Sequence, residues 1–313
     1  MSAAAIALHG LGKRFGRTHA LADVTFDVPP RTLFGLLGAN GAGKTTLFSL
    51  VAGFLRPTRG RVEVLGTDVA HVSELRGRLS ILPQDALFQA NVPVLEQLIF
   101  FSQLVGRTRQ EAEREAFRAL ELVGLAESAK KNARVLSHGM SKRLGIAQAF
   151  LGTPEVILLD EPTAGLDPVN AKAIRELIVR LKTSATLVIS SHDLDEIQEM
   201  CSHVAILDHG KLVECGEVAA LTEAGRKVRM GFPRAMTETE LAAVRAVPGV
   251  STVAADPSEA ALYLIDLAPT ERGPQEIVAA IVQALLATGL VPRSVSEGAS
   301  LEARFLELTR PTR

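Results

Sequence analysis

The 313-residue chain has almost no net charge, two cysteines and no long apolar run, and each shortage removes a class of function. A formal net charge of −1 exerts no general pull on nucleic acid or anionic lipid, so nucleic-acid binding is not expected. Cys201 and Cys215 have neither metal-ligand spacing nor a disulfide framework, and read as buried thiols in a reducing compartment. The opening Met1 to Ala7 lacks a basic leader with a long apolar core, and the stretch from Ile277 to Val291 is interrupted by Gln283 and Gly289. Neither export nor a membrane span is therefore expected. No low-complexity tract stands out. What remains is a globular composition, 47% hydrophobic and 22% charged, on a chain long enough for a large domain plus a smaller one.

Apolar strands alternate with helical patterns through roughly the first 220 residues, which predicts an α/β domain around a largely parallel sheet. Candidate strands Thr32–Leu37, Leu79–Leu82, Glu155–Leu159 and Ala185–Ile189 each run into a polar cluster, where open α/β sheets bind ligands. Two amphipathic helices, Leu95–Val105 and Arg109–Val123, mark a helical subdomain over about 90–150. After the hairpin Val204–Val213, polar residues around Gly225 place a boundary between domains 1–224 and 225–313. The second domain reads as strand 227–232, helix 237–246, strands 250–255 and 261–266, helix 273–288, strand 290–296 and helix 299–310. Thr237 with Glu240 is a capping-box start, and Pro248-Gly249 a stop. The order βαββαβ predicts a small α+β ferredoxin-like domain.

Gly38, Ala39, Asn40, Gly41, Ala42, Gly43, Lys44 and Thr45 match the phosphate-loop pattern G-x-x-x-x-G-K-[ST], after an apolar strand and before a helical run from Thr46 to Phe54. Glycines let backbone N–H groups point into one concavity, and the helix adds its N-terminal partial positive charge. Lys44 then reaches the β- and γ-phosphates. Thr45 offers a hydroxyl to Mg²⁺, and Asp160, at the end of the apolar strand from Val156, offers a carboxylate. A plain Gly-rich strand-to-helix turn would need neither Lys44 nor Thr45 in register. The cradle alone does not separate ATPases from GTPases and small-molecule kinases.

Glu161 directly follows Asp160, placed to face the γ-phosphate while Asp160 faces the metal. The tight turn Pro162 to Asp167 favours Glu161 as general base over a solvated loop acid. His192 follows the strand Ala185–Ile189 and two serines. Parallel neighbouring strands would set it beside Glu161, where an ordinary histidine becomes one that orients the base and donates to the γ-phosphate. Gln84, after Pro83, is a strand-end polar group for Mg²⁺ or water, or else a surface glutamine.

In this order and spacing, Gly38 to Thr45, Gln84, Leu136 to Met140, Ile157 to Pro162, Ala164 to Asp167 and His192 resemble the motifs of an ABC-transporter nucleotide-binding domain, over about residues 5–222. The resemblance implies a P-loop NTPase fold with an ABC-type β subdomain and helical insert. It also implies a head-to-tail dimer with a second ABC ATPase subunit, a homodimer or heterodimer, sandwiching two ATP molecules. Ser137, His138, Gly139 and Met140 would then face the partner's ATP from the start of a helix running to Phe150, where Ser137 is equally an N-cap. His138 and Met140 stand where the family pattern LSGGQ has Gly and Gln; histidine's tolerance of positive φ is expected to preserve the backbone. Phe15 takes the place of the family's adenine-stacking tyrosine, or else belongs to the first hairpin's core. Asp167 resembles the aspartate that communicates across the dimer, and also precedes Pro168 as a cap.

Leu301 to Thr309 resembles the ending LEDxFLxLT of ATPases from type-2 ABC exporters. This implies a separate polytopic membrane permease, contacted around Gln84 and the helical insert, and a cytoplasmic subunit peripheral on the inner face of the cell membrane. A non-transport ABC ATPase acting as regulator or mechanical signaller is the second reading. A P-loop kinase or GTPase is disfavoured by Ser137, Gly139, Glu161 and His192 together.

Overall fold

The structure, a computed structural model, describes residues 4–222, 227–256, 259–268, 273–297 and 301–309. Packing divides the chain into Met1–Cys215 and Gly216–Arg313. The boundary expected at 224/225 lies outside the described residues.

In the first unit, β1 (Ile6–Phe15) and β2 (Thr18–Val28) form an antiparallel hairpin, and β3 (Leu33–Leu37) leads into α1 (Lys44–Val51). β4 (Arg59–Val64) and β5 (Thr67–Asp68) complete a four-stranded sheet in the order β2-β1-β4-β5. β6 (Leu79–Leu82) is followed by α2 (Val94–Leu104), α3 (Arg109–Leu122) and α4 (His138–Ala149), within one residue of the expected ends. Thr108 and Glu111 form a capping box at the head of α3.

β7 (Val156–Asp160), α5 (Pro168–Leu181), β8 (Thr186–Ser191), α6 (Leu194–Met200), β9 (His203–Asp208) and β10 (Lys211–Glu217) follow. They complete a six-stranded sheet in the order β10-β9-β3-β8-β7-β6, in which β3, β6, β7, β8 and β9 pair in parallel. Every residue of β3, β7 and β8 is buried, as strands covered on both faces require. β8 runs to Ser191, two residues past its expected end, so both serines before His192 are strand residues. Cys201 is buried as expected, whereas Cys215 is exposed, because β10 lies at the sheet edge and its residues are half-buried or exposed.

The second unit contains α7 (Val218–Leu221), β11 (Lys227–Gly231), α8 (Glu238–Arg245), β12 (Val250–Asp256), β13 (Glu259–Leu267), α9 (Pro274–Ala287), β14 (Ser294–Glu297) and α10 (Leu301–Thr309). Its antiparallel sheet has the order β12-β13-β11-β14. Val228, Met230, Tyr263 and Ile265 on one face pack with Val244 of α8 and with Ile277, Ile281 and Leu285 of α9. The expected capping box of Thr237 and Glu240 heads α8, and Glu240 also pairs with Arg234 at 2.7 Å.

Helix α6 owes its seat on the central sheet to one glycine. A Cβ on Gly35 of β3 would stand 2.5 Å from Cγ2 of Ile197, closer than real Cβ atoms come. Gly35→Ala should therefore lower the free energy of unfolding by about 1–3 kcal/mol in urea denaturation, through overpacking.

Candidate nucleotide site

The loop from Gly38 to Gly43 leaves the carboxyl end of β3 and opens α1, the position at which open α/β sheets bind ligands. Gly43 needs to be glycine twice over: its φ is 107°, and a Cβ would meet the Ala20 carbonyl oxygen at 2.7 Å. The Lys44 ammonium curls back into its own loop, donating to the carbonyls of Gly38 at 2.8 Å and Ala39 at 3.3 Å. Ala39, Asn40, Gly41 and Thr45 are exposed around it, Ala42 is buried and Thr46 half-buried. The loop thus presents the free N–H groups of a helix start and one fixed cation, a setting for an anion.

Across the loop lies a carboxylate. Glu161 Oε1 is 3.5 Å from Lys44 Nζ, and Glu161 Oε2 is 3.4 Å from His192 Nδ1. Glu161 is buried with φ 45°, a left-handed conformation that a non-glycine residue keeps only when its surroundings hold it. The parallel register of β7 with β8 sets Asp160 opposite Ser190, and the Ser190 hydroxyl donates to Asp160 Oδ1 at 2.5 Å while accepting the Glu161 N–H at 2.9 Å. Ser190 was not among the expected site residues. Its role emerges from strand register, which no local pattern encodes.

Five expected residues, Ser137, His138, Gly139, Met140 and Asp167, lie at the heads of α4 and α5. Ser137 caps α4 by accepting the Met140 N–H at 3.2 Å. His138 does not have positive φ, so tolerance of that conformation is not what admits histidine there: the position is the first turn of a right-handed helix. Gly139 is buried, and a Cβ would press within 2.9 Å of Asn170 Oδ1 on α5. Asn170 in turn donates to Asp167 Oδ2 at 2.6 Å, while Asp167 Oδ1 accepts the N–H groups of Val169 and Asn170. These donors, the Asn170 amide foremost, hold the Asp167 carboxyl below its usual range. Asp167 is thus the cap of α5.

Gln84 is exposed beyond β6, where it lines a groove with His138, Ser141 and Lys142 of α4. Its backbone carbonyl accepts from Lys142 Nζ at 2.9 Å, a tie between the central sheet and the helical region that the motif pattern did not suggest. Phe15 is 48% exposed at the end of β1, with the Lys13 ammonium 5.0 Å from its ring centre. It is therefore a surface aromatic and not a core residue of the hairpin.

The family pattern described as ABC transporter matches residues 21–164. The bacitracin transport ATP-binding protein BcrA of Bacillus licheniformis is 38% identical over 207 residues, which is 65% of this chain and 67% of that protein. The chain belongs to the ABC transporter ATP-binding proteins. The linearmycin resistance ATP-binding protein LnrL of Bacillus subtilis is 29% identical over 306 residues, 96% of each chain, so that relative matches through the second unit as well. Among solved structures, cbiO1 from Clostridium perfringens, part of the ABC transporter complex cbiONQ, aligns with a TM-score of 0.64 and 28% identity over 70% of this chain and 91% of that one. As a member of this ABC family the chain is an ATPase subunit. Among the described residues, no helix is long and apolar enough to cross a membrane.

Removing the Ser190 hydroxyl would leave the Glu161 N–H unpaired in a buried place. Ser190→Ala is expected to lower stability by about 1–3 kcal/mol in denaturant titration.

Proposed function

We propose that this ABC ATPase subunit is the cytoplasmic motor of a bacterial type-2 exporter, peripheral on the inner face of the cell membrane and bound to a separate polytopic permease. The observation that carries the catalytic half of this reading is the convergence of Lys44, Glu161 and His192 through one carboxylate, at 3.5 and 3.4 Å. Glu161 is the general base: its carboxylate takes the proton of the attacking water, and His192 orients it while donating to the γ-phosphate. Lys44 leaves its two loop carbonyls for the β- and γ-phosphate oxygens, and the N–H groups from Gly38 to Thr46 hold the rest of the phosphate chain. Phe15 offers its half-exposed ring to adenine.

The exposed Thr45 hydroxyl and the Asp160 carboxylate are hard oxygen donors of the kind Mg²⁺ takes, with Gln84 as the third group assigned to it. When bound, Mg²⁺ would neutralise charge on the phosphates. Asp160 would hold the ion, and its Oδ1 already accepts the Ser190 hydroxyl, whereas Glu161 faces Lys44 and His192, so the role of base falls to Glu161.

A second ABC ATPase subunit packs head to tail, so that Ser137, His138, Gly139 and Met140 present the start of α4 to the partner's γ-phosphate. Asp167, next to Asn170 and hence to Gly139, relays between the two sites. Outward direction is supported by the relatives named for bacitracin transport and linearmycin resistance, and by the LEDxFLxLT-like α10. The β12-β13-β11-β14 order supports a ferredoxin-like second domain, since it places the fourth strand beside the first and the third between first and second.

Glu161→Gln tests both halves. The variant should bind ATP and turn it over roughly 10²–10⁴-fold more slowly. Trapped with ATP in its native bacterium and solubilised in mild detergent, it should bring one polytopic membrane protein with it in stoichiometric amount. Hydrolysis near the wild-type rate would reject Glu161 as the base. Recovery of soluble proteins alone would move the non-transport signaller to first place.

A further inference from the structure

Beside the reacting groups lies a buried carboxylate that the chemistry above does not use. Glu196, on the first turn of α6, is 6% exposed, and among the described residues no basic group forms an ion pair with it. Burying a carboxylate without a cation is costly unless hydrogen bonds hold it for a purpose. Its Oε2 accepts two hydroxyls, from Thr163 at 3.0 Å and from Ser191 at 2.9 Å.

Those two donors have meaningful addresses. Thr163 lies two residues beyond Glu161, in the turn that carries the base, and Ser191 immediately precedes His192. Ser191 Oγ also accepts the Asp193 N–H at 3.0 Å, so the residues on both sides of His192 are tied to the same point. Helix capping does not explain the carboxylate, because Asp193 caps α6 by accepting the Glu196 backbone N–H at 3.0 Å. The helix that carries it is closely packed: the neighbouring Ile197 is seated on the bare backbone of Gly35 in β3.

We infer that Glu196 is a positioning residue for ATP hydrolysis: one buried oxygen, bonded to Thr163 and Ser191, sets the turn of Glu161 and the loop of His192 in register with each other. The inference rests on Glu161 being the base. It needs no contact between Glu196 and nucleotide. Because one oxygen serves both hydroxyls, a glutamine whose amide oxygen occupies that place keeps both bonds, whereas alanine loses both.

The test is made on the full-length protein, comparing Glu196→Ala, Glu196→Gln and Thr163→Val with wild type and with Glu161→Gln. A misplacement of about 1 Å at a reacting group costs on the order of 10²-fold, so Glu196→Ala should lose at least about tenfold in kcat. The affinity for a fluorescent ATP analogue should stay within about twofold, since the phosphate loop is untouched, and Glu196→Gln should keep kcat within about threefold of wild type. Should the alanine variant not fold, Thr163→Val decides: it removes one bond, and a lowered kcat with unchanged nucleotide affinity is expected. The inference is overturned by an alanine or valine variant at the wild-type rate, by affinity falling in step with kcat, or by a glutamine variant as slow as alanine. A Glu161→Gln protein of normal activity would instead overturn the assignment of the base.

Discussion

The parallel pairing of β7 with β8 sets Asp160 opposite Ser190, and the arrangement of the nucleotide site follows from that register. Because the pairing aligns the two strand ends, one hydroxyl bridges the Asp160 carboxylate and the Glu161 N–H. That bridge holds Glu161 at φ 45°, and from there its two oxygens face Lys44 and His192. A shift by one residue would turn each side chain to the opposite face of the sheet, and the site would come apart together. The strands are buried along their whole length, so register is secured by packing on both faces as well as by hydrogen bonds.

Two close approaches transmit this order outward. Gly35 admits Ile197, which brings α6 and its Glu196 carboxylate down onto the sheet beside the His192 loop. Gly139 admits Asn170, which joins the head of α4 to the head of α5 and to Asp167. In both cases a missing side chain leaves room for a neighbour's side chain: a Cβ would crowd the branched Ile197 at Gly35 and would make the Asn170 amide shift at Gly139. Helix seating is thus decided by what is absent at one position, and the polar groups near those contacts acquire fixed places.

Much of this was legible beforehand where chemistry is contiguous in the chain. The loop from Gly38 to Thr45, the pair Asp160 and Glu161, the helix start at Ser137 and the capping box of Thr237 and Glu240 are local patterns, and the structure places them on the elements predicted. Ser190, Asn170, Lys142 and Glu196 were not legible. Each acts through a partner at least three residues away, whose position is set by the fold, and as isolated polar residues they look like any others. The reading of Cys215 as buried failed for a related reason: exposure at a sheet edge depends on strand order, not on residue type.

By itself the sequence determined the class of protein, the phosphate loop and the alternation of strands and helices, because these rest on short-range periodicity and fixed spacing. Tertiary structure alone decided which side chains meet. The distances joining Lys44, Glu161 and His192, the hydroxyl bridge at Ser190 and the two hydrogen bonds accepted by Glu196 arise only when β3, β7 and β8 align in parallel and α6 packs against them. Residues separated by over a hundred positions are then fixed a few ångströms apart by backbone register, a property of paired strands that no single strand carries.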